Sequence, residues 1–391
     1  MIKLVTILAM LLAALNGCSI EQAAIATQPY IEEVVLTLTA HFALTSDGDV
    51  LSWGENEQGV LGLGYSSGEV VKIPQKIEIG EPVKKIVTSS LANTVFAVTT
   101  SGKVYGWGSN AYKIISSENT PIYYSPVLMD FGIPVAEIKL SHYLVTIAEP
   151  NGKIFGLGWT QKGASIHPKQ ESAFLASSHD IMEINIDSGE PISQIENSVI
   201  YRAFINSKNE VFVQGALVEN KIMFEKATQV PFPEPIIQIG PMFQGLVGLS
   251  ETGKLYFIGE DRFGIVGDDT SEYFDIYEEA VLIDKISVSI KDISVSSSSI
   301  IVHTEKGDFY TWGYNLGKNN SENEKEIISI PTKLDFNENV RYYYCGEFSN
   351  VLITKSHDVY VWGSNAYYIY MDESREASYQ PTKINILKQG A

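Results

Sequence analysis

Few residues in this 391-residue sequence stand at spacings that suit catalysis. Gly64-Tyr65-Ser66-Ser67-Gly68 matches the G-x-S-x-G form of a nucleophile elbow, which would make Ser66 an acyl-transfer nucleophile. That chemistry needs a strand before the serine and a helix after it, and neither pattern flanks this segment. The six histidines are scattered: His41 and His142 are read as corresponding places in a repeated unit, His357 holds a turn, and His167 and His179 are too far apart to ligate one metal from one short element. No zinc-ligand spacing occurs. The acidic stretches Asp268-Asp269-Thr270-Ser271-Glu272 and Ser321-Glu322-Asn323-Glu324 lack the EF-hand pattern and read as solvated loops. No metal, no cofactor and no catalytic residue is expected. With only Cys18 and Cys345, there is no disulfide framework; Cys345 lies in an apolar strand and reads as a small buried residue.

The elements that would position any site repeat seven times. A turn residue recurs as Gly48, Gly102, Gly152, Asn209, Gly253, Gly307 and His357, and a glycine follows each at six residues: Gly54, Gly108, Gly158, Gly215, Gly259, Gly313 and Gly363. Between them lie strand formers such as Val50-Leu51, Val104-Tyr105 and Val359-Tyr360. Asn209 and His357 are among the non-glycine residues that tolerate positive φ, so their substitution agrees with the alignment. Upstream of each turn sits an aliphatic pair, for example Pro134-Val135 with Ile138 and Pro235-Ile236 with Ile239. A fourth element appears as Pro74-Gln75-Lys76-Ile77, Pro331-Thr332-Lys333-Leu334 and Pro381-Thr382-Lys383-Ile384. Four strands per copy is the content of one propeller blade. Copies three to five are degenerate, since Leu157, Gln214 and Ile258 replace the tryptophan found at 53, 107, 312 and 362.

The segment HFALTSDGDVLSWGENEQGVLGLG, residues 41–64, resembles the repeat of the regulator of chromosome condensation family. Asn56, Asn110, Asn315 and Asn365 keep the asparagine of its W-G-x-N ending. The resemblance covers residues 30–391 and implies an all-β, seven-bladed propeller. It also implies that the last strand, 381–387, closes the ring by pairing beside the first hairpin. Function does not follow from the fold, because these repeats serve unrelated tasks. One plant branch senses ultraviolet light through clustered tryptophans; here the four aligned tryptophans read as packing between blades, and Trp159 stands alone.

The first residues carry Lys3 and an apolar run from Leu4 to Leu15, too short to span a bilayer. Leu15-Asn16-Gly17-Cys18 resembles a bacterial lipobox. The expected organisation is therefore a lipoprotein signal peptide at 1–17, a lipidated tether at 18–29 beginning with Cys18, and the propeller at 30–391. The mature protein would be a monomer anchored in the bacterial envelope by lipid alone, facing either the periplasm or the outside. The net charge of −19 repels phosphate backbones, which argues against nucleic acid.

Recognition is expected on the long connectors after the second glycine, where variable loops sit on a rigid scaffold. Two connectors repeat Ser-Asn-Ala-Tyr, at 109–112 and 364–367. Tyr112, Tyr123, Tyr124, Tyr367, Tyr368 and Tyr370 are the predicted partner-binding residues, with Tyr379 nearby, because tyrosine gives amphipathic contact area at low entropic cost. The expected function is a non-catalytic binder of a protein or other macromolecule, an enzyme inhibitor being one narrower form. The alternative is a propeller hydrolase or lyase at the central channel; the innermost strands, around Ile86, Ile138, Ile195, Ile239, Ile293 and Tyr343, show no cluster of carboxylates or histidines for it.

Overall fold

The computed structural model describes residues 28–142, 144–158, 179–219, 221–266, 275–321, 325–374 and 376–388. Cys18, Trp159, His167 and the acidic run 268–272 lie outside these, as do residues 322–324 of the second acidic stretch.

Seven four-stranded antiparallel sheets form, each from consecutive strands. Blade one is β1 (Ile31–Leu36), β2 (Ala40–Thr45), β3 (Val50–Asn56) and β4 (Ser67–Lys76). Blade two is β5 (Val83–Val87), β6 (Thr94–Thr99), β7 (Val104–Ser109) and β8 (Ile122–Met129). Blade three is β9 (Glu137–Leu140), β10 (Leu144–Ala148), β11 (Ile154–Gly158) and β12 (Met182–Glu183). Blade four is β13 (Ile192–Asn197), β14 (Tyr201–Asn206), β15 (Val211–Val218) and β16 (Ile222–Val230). Blade five is β17 (Ile236–Met242), β18 (Gly245–Ser250), β19 (Leu255–Asp261) and β20 (Asp275–Ile283). Blade six is β21 (Ile290–Val295), β22 (Ser299–Thr304), β23 (Phe309–Tyr314) and β24 (Ile327–Lys333). Blade seven is β25 (Val340–Cys345), β26 (Ser349–Thr354), β27 (Val359–Gly363) and β28 (Ser378–Ile384). The molecule is a seven-bladed β-propeller.

First strands touch first strands around the ring and line the channel, while fourth strands face solvent. The apolar faces meet between blades, so the core is a set of clusters, each shared by two neighbours. The turn residues take positive φ, as the sequence requires: 89° at Gly48, 62° at Asn209 and 67° at His357. The second glycine is needed for closeness as well. A Cβ on Gly54 would stand 2.4 Å from the Thr39 carbonyl oxygen.

Two expectations are corrected. The ring does not close by exchange of a terminal strand: Ile384 pairs with Val359 and Lys383 with Tyr360, so blade seven is completed locally. Closure comes from side chains. Arg341 Nη2 donates to the carbonyls of Ile31 and Glu32, and the hydroxyls of Tyr342 and Tyr344 donate to those of Val34 and Leu36. Ile386 joins the apolar cluster between blades seven and one without hydrogen bonding to the first hairpin's ladder. Nor do His41 and His142 match. His41 pairs with Trp53 in the ladder, and the corresponding residue in blade three is Val145, paired with Leu157.

Candidate functional site

The site is built on one face of the ring, where the short loops after the first strands lie beside the long connectors joining third to fourth strands. These connectors are ordered by the repeat's own residues. The Asn56 amide donates to the Tyr65 carbonyl while its oxygen accepts from Leu61 N–H. Asn110 donates to Ser116 and Thr120 carbonyls and accepts from Ile115 and Ser116. Asn315 and Asn365 do the same in blades six and seven. Each tryptophan then pins the preceding blade's connector. Trp107 Nε1 donates to Val60 O at 2.8 Å, Trp312 to Ile265 O at 2.9 Å, Trp362 to Asn319 O at 2.8 Å, and Trp53 to Tyr368 O at 3.2 Å. All four are fully buried, as inter-blade packing requires.

At the centre of this face the channel opens into a cavity of about 250 Å³, to which all seven blades contribute. Its wall carries two charge clusters. Lys139 lies 2.8 Å from Glu196 and 3.6 Å from Glu137; burial pulls its pKa down, but the two carboxylates outweigh this and leave it raised. Burial pushes the Glu33 carboxyl up to about 7, against the lowering pull of Lys85 and of the hydrogen bond from Ile86 N–H. Glu33 occupies the place that Gln194 and Gln238 hold in blades four and five. Each of those amides clips the next blade, Gln194 on Ile239 and Gln238 on Ile293, bonding both the N–H and the carbonyl. Glu33 makes half of the same clip.

The loop after β5, residues 88–93, has six residues where blade one's has three (37–39). Its extra length carries Ser90 over blade one to blade seven, where its hydroxyl donates to the buried Glu347 carboxylate at 2.7 Å. Glu347 also accepts from Ser297 N–H at 2.7 Å and from the Ser298 hydroxyl at 2.5 Å. Blades two, six and seven are thereby tied together at the channel mouth.

The predicted tyrosines divide. Tyr124 is exposed. Tyr123 is half-buried and donates its hydroxyl to Glu118, and the Tyr112 ring packs 5.8 Å from His142. Tyr367 is half-buried, and its carbonyl accepts from Nε2 of the buried His41. Tyr368 and Tyr370 depart from expectation: both are buried. The blade-seven connector folds back under itself, so that Tyr370 enters the cluster between blades seven and one and its hydroxyl bonds Gly363 O at 3.0 Å. Tyr112, Tyr123 and Tyr124 gather on blade two; Tyr367 lies by blade seven, with blade one between. Tyr379 is exposed on β28.

Sequence reasoning missed Glu347, the Ser90 bridge and the charged channel wall. The signal for the bridge was the longer spacing in copy two, where Gly102 follows Ile86 by 16 residues and Gly152 follows Ile138 by 14. Ser66 lies in the connector next to β4 rather than between a strand and a helix. Among the described residues no group of histidine, cysteine, aspartate or glutamate could hold a metal ion. Cys345 is buried, and burial raises its thiol well above the ordinary range.

Comparison with known proteins places the repeat. The family model for the regulator of chromosome condensation (RCC1) repeat matches residues 47–92. The Arabidopsis thaliana ultraviolet-B receptor UVR8 is 24% identical over 257 residues, 63% of this chain and 57% of the receptor, so little more than half of that relative's length is covered. Among solved structures, Prp20p from Saccharomyces cerevisiae superposes with a TM-score of 0.73 at 16% identity, covering 91% of this chain and 87% of its own. Human WBSCR16 gives 0.72 at 15%, covering 86% and 94%. At these identities the structural likeness establishes the fold.

Proposed function

We propose that this chain, an RCC1-like repeat protein, is a non-catalytic scaffold that holds a protein partner on its connector face, around the channel mouth. The observation that carries the reading is the ordering of that face: asparagine caps and tryptophan pins fix the connectors before any partner arrives. Loops fixed in advance lose little conformational entropy on binding. The mouth, at about 250 Å³, is smaller than the usual enclosed small-molecule site, which favours a partner that covers its rim. Glu33, whose carboxyl burial pushes up to about 7, is accounted for by its clip onto blade two, since glutamines fill its place in two other blades. The net charge of −19 disfavours nucleic acid and favours a partner with basic contacts. Yeast Prp20p has binding properties toward Gsp1p and histones; a protein ligand is what our reading shares with it.

In its fuller form, the reading has a monomer lipidated at Cys18 and held at the bacterial envelope, with enzyme inhibition as one outcome of partner binding. The soluble form beginning at Glu21 serves as bait for the partner, and the bound protein is then titrated against Tyr124→Ala with Tyr367→Ala and against Glu57→Trp, at an exposed connector position. We expect affinity to fall about tenfold or more with melting unchanged, as for interface aromatics; unchanged affinity in both variants would move the site off this face. Cys18→Ser should release the protein from membranes, and persistence there after a salt wash would reject the anchor.

A further inference from the structure

Four of the seven outer strands carry proline at one repeated position. Pro74 in β4, Pro126 in β8, Pro331 in β24 and Pro381 in β28 each precede the residue that pairs with the centre of the third strand, as in Gln75 with Ser52 and Val127 with Gly106. Proline lacks an N–H and is tolerated in an edge strand where its nitrogen faces away from the ladder, so it removes a donor from the outer edge. That blunts the edge against further strands. By the same register, Thr228 with Val213 and Val281 with Phe257, the corresponding residues in blades four and five are Ala227 and Ala280. Both keep the donor.

In blade four the open place is already taken: Ile186 of the preceding segment forms a parallel bridge with Ala227. The ladder of that blade shifts register between Val213 and Gly215, as that of blade five does between Phe257 and Gly259, so the bulge does not prevent pairing. In blade five β20 ends its sheet, and among the described residues nothing pairs with its outer edge. We propose that this edge of β20 is a strand-addition site for an extended, basic segment of a partner protein.

Charge selects the occupant. The strand reads Asp-Ile-Tyr-Glu-Glu-Ala-Val-Leu-Ile, with no basic residue over 275–283, and Asp284 follows. Glu278 and Glu279 are exposed, and among the described residues neither has an ion-pair partner. A second copy of this chain is disfavoured, because pairing β20 with itself sets glutamates against glutamates. A segment alternating lysine with β-branched residues meets both demands: its main chain adds to the ladder, its lysines line the face that carries Glu279, and its apolar side chains line the opposite face, with Leu282.

The probe is an eight-residue peptide of alternating lysine and valine, added to the full chain while amide exchange is followed. Exchange at 276–282 should slow, and Ala280→Pro, which copies four other blades, should weaken binding about tenfold or more without lowering the melting temperature. Should that variant fold poorly, Glu278→Lys with Glu279→Lys provides a surface change that must also abolish protection. Pro331→Ala, on a strand without the acidic run, should leave peptide affinity unchanged. Absence of protection at 276–282 under millimolar peptide, or equal affinity for the parent and the charge-reversed variant, would overturn the inference. None of these changes touches the connector face, so its reading stands or falls separately.

Discussion

Blades one, two, six and seven solve the same problem differently from blades three, four and five. In the first arc a buried tryptophan donates to the neighbouring connector, an asparagine caps the connector's own backbone, and proline blunts the outer edge. In the second arc Leu157, Gln214 and Ile258 stand in the tryptophan's place, and Ile181, Ala227 and Ala280 replace the edge proline and keep their donors. The seam between blades three and four shows the cost. Among the described residues its buried cluster is only Ile154, Ile184, Ile195, Phe204 and Phe212. Gln214 Oε1 has no hydrogen-bond partner among the described residues. Arg202, wholly buried, donates through Nε to Thr146 at 2.9 Å, while among the described residues neither of its terminal nitrogens finds an acceptor, and burial lowers its pKa to about 10. At this seam a polar side chain stands where each tryptophan of the regular arc donates to a connector carbonyl. The regular arc thus supplies a rigid face, and the irregular arc supplies the open edge of β20.

Replacing the tryptophan should give the sharpest difference between the arcs. Trp107→Ala removes a buried indole and its bond to Val60, and should destabilise by about 3 to 5 kcal/mol. Gln214→Leu, at the same repeat position in blade four, removes an orphaned oxygen and should be neutral or stabilising. Chemical denaturation of both variants checks this, and equal losses would erase the distinction.

A second comparison sets Glu33 against Gln194 and Gln238. The Glu33 carboxyl sits at about 7 in the fold and near 4.5 when unfolded, so the folded state holds its proton more tightly. Its contribution to stability is full below pH 4.5 and is lost as pH rises through 7. Glu33→Gln, which completes the clip seen in blades four and five, should therefore match the parent at pH 4 and exceed it at pH 8 by about 2 to 3 kcal/mol. A gain independent of pH would show that the carboxyl does not titrate in this window.

The smallest expected difference lies in the connector caps. Asn110→Ala leaves two carbonyls and two N–H groups unpaired and should cost about 1 to 3 kcal/mol. In blade five the cap is Asp261, which accepts from Ile265 at 2.6 Å and Val266 at 3.1 Å; burial raises its pKa. Asp261→Asn keeps one of the two acceptor oxygens, and since the single Asn110 oxygen takes both N–H groups in blade two, it should change melting little. Melting curves of the two variants decide, and a large loss in the second would mean that the charge itself is needed.

The strands and turns were legible because glycine and alternating apolar residues impose them locally. Asn209 and His357 could be placed at turns for the same reason. Ring closure was not legible: β28 carries the same pattern as β4 and β24, so its sequence cannot tell local pairing from exchange, and Tyr342 and Tyr344 read simply as strand formers. Tyr368 and Tyr370 were assigned to the surface because they follow the seventh W-G, yet the Asn365 cap turns that connector inward. The bond from Ser90 to Glu347 joins residues 257 apart in the chain, and only the ring brings them together. Asp261 was a findable signal, since it stands where blades one, two, six and seven keep asparagine and it too offers an acceptor oxygen.

The most direct test is amide exchange along the whole chain with and without the isolated partner. The free protein should already protect the connectors of the regular arc, and the partner should add protection at 57–66, 88–93, 110–121 and 364–374. Added protection confined to the tight turns at 46–49 and 100–103, on the opposite face, would contradict a binding site on the connectors.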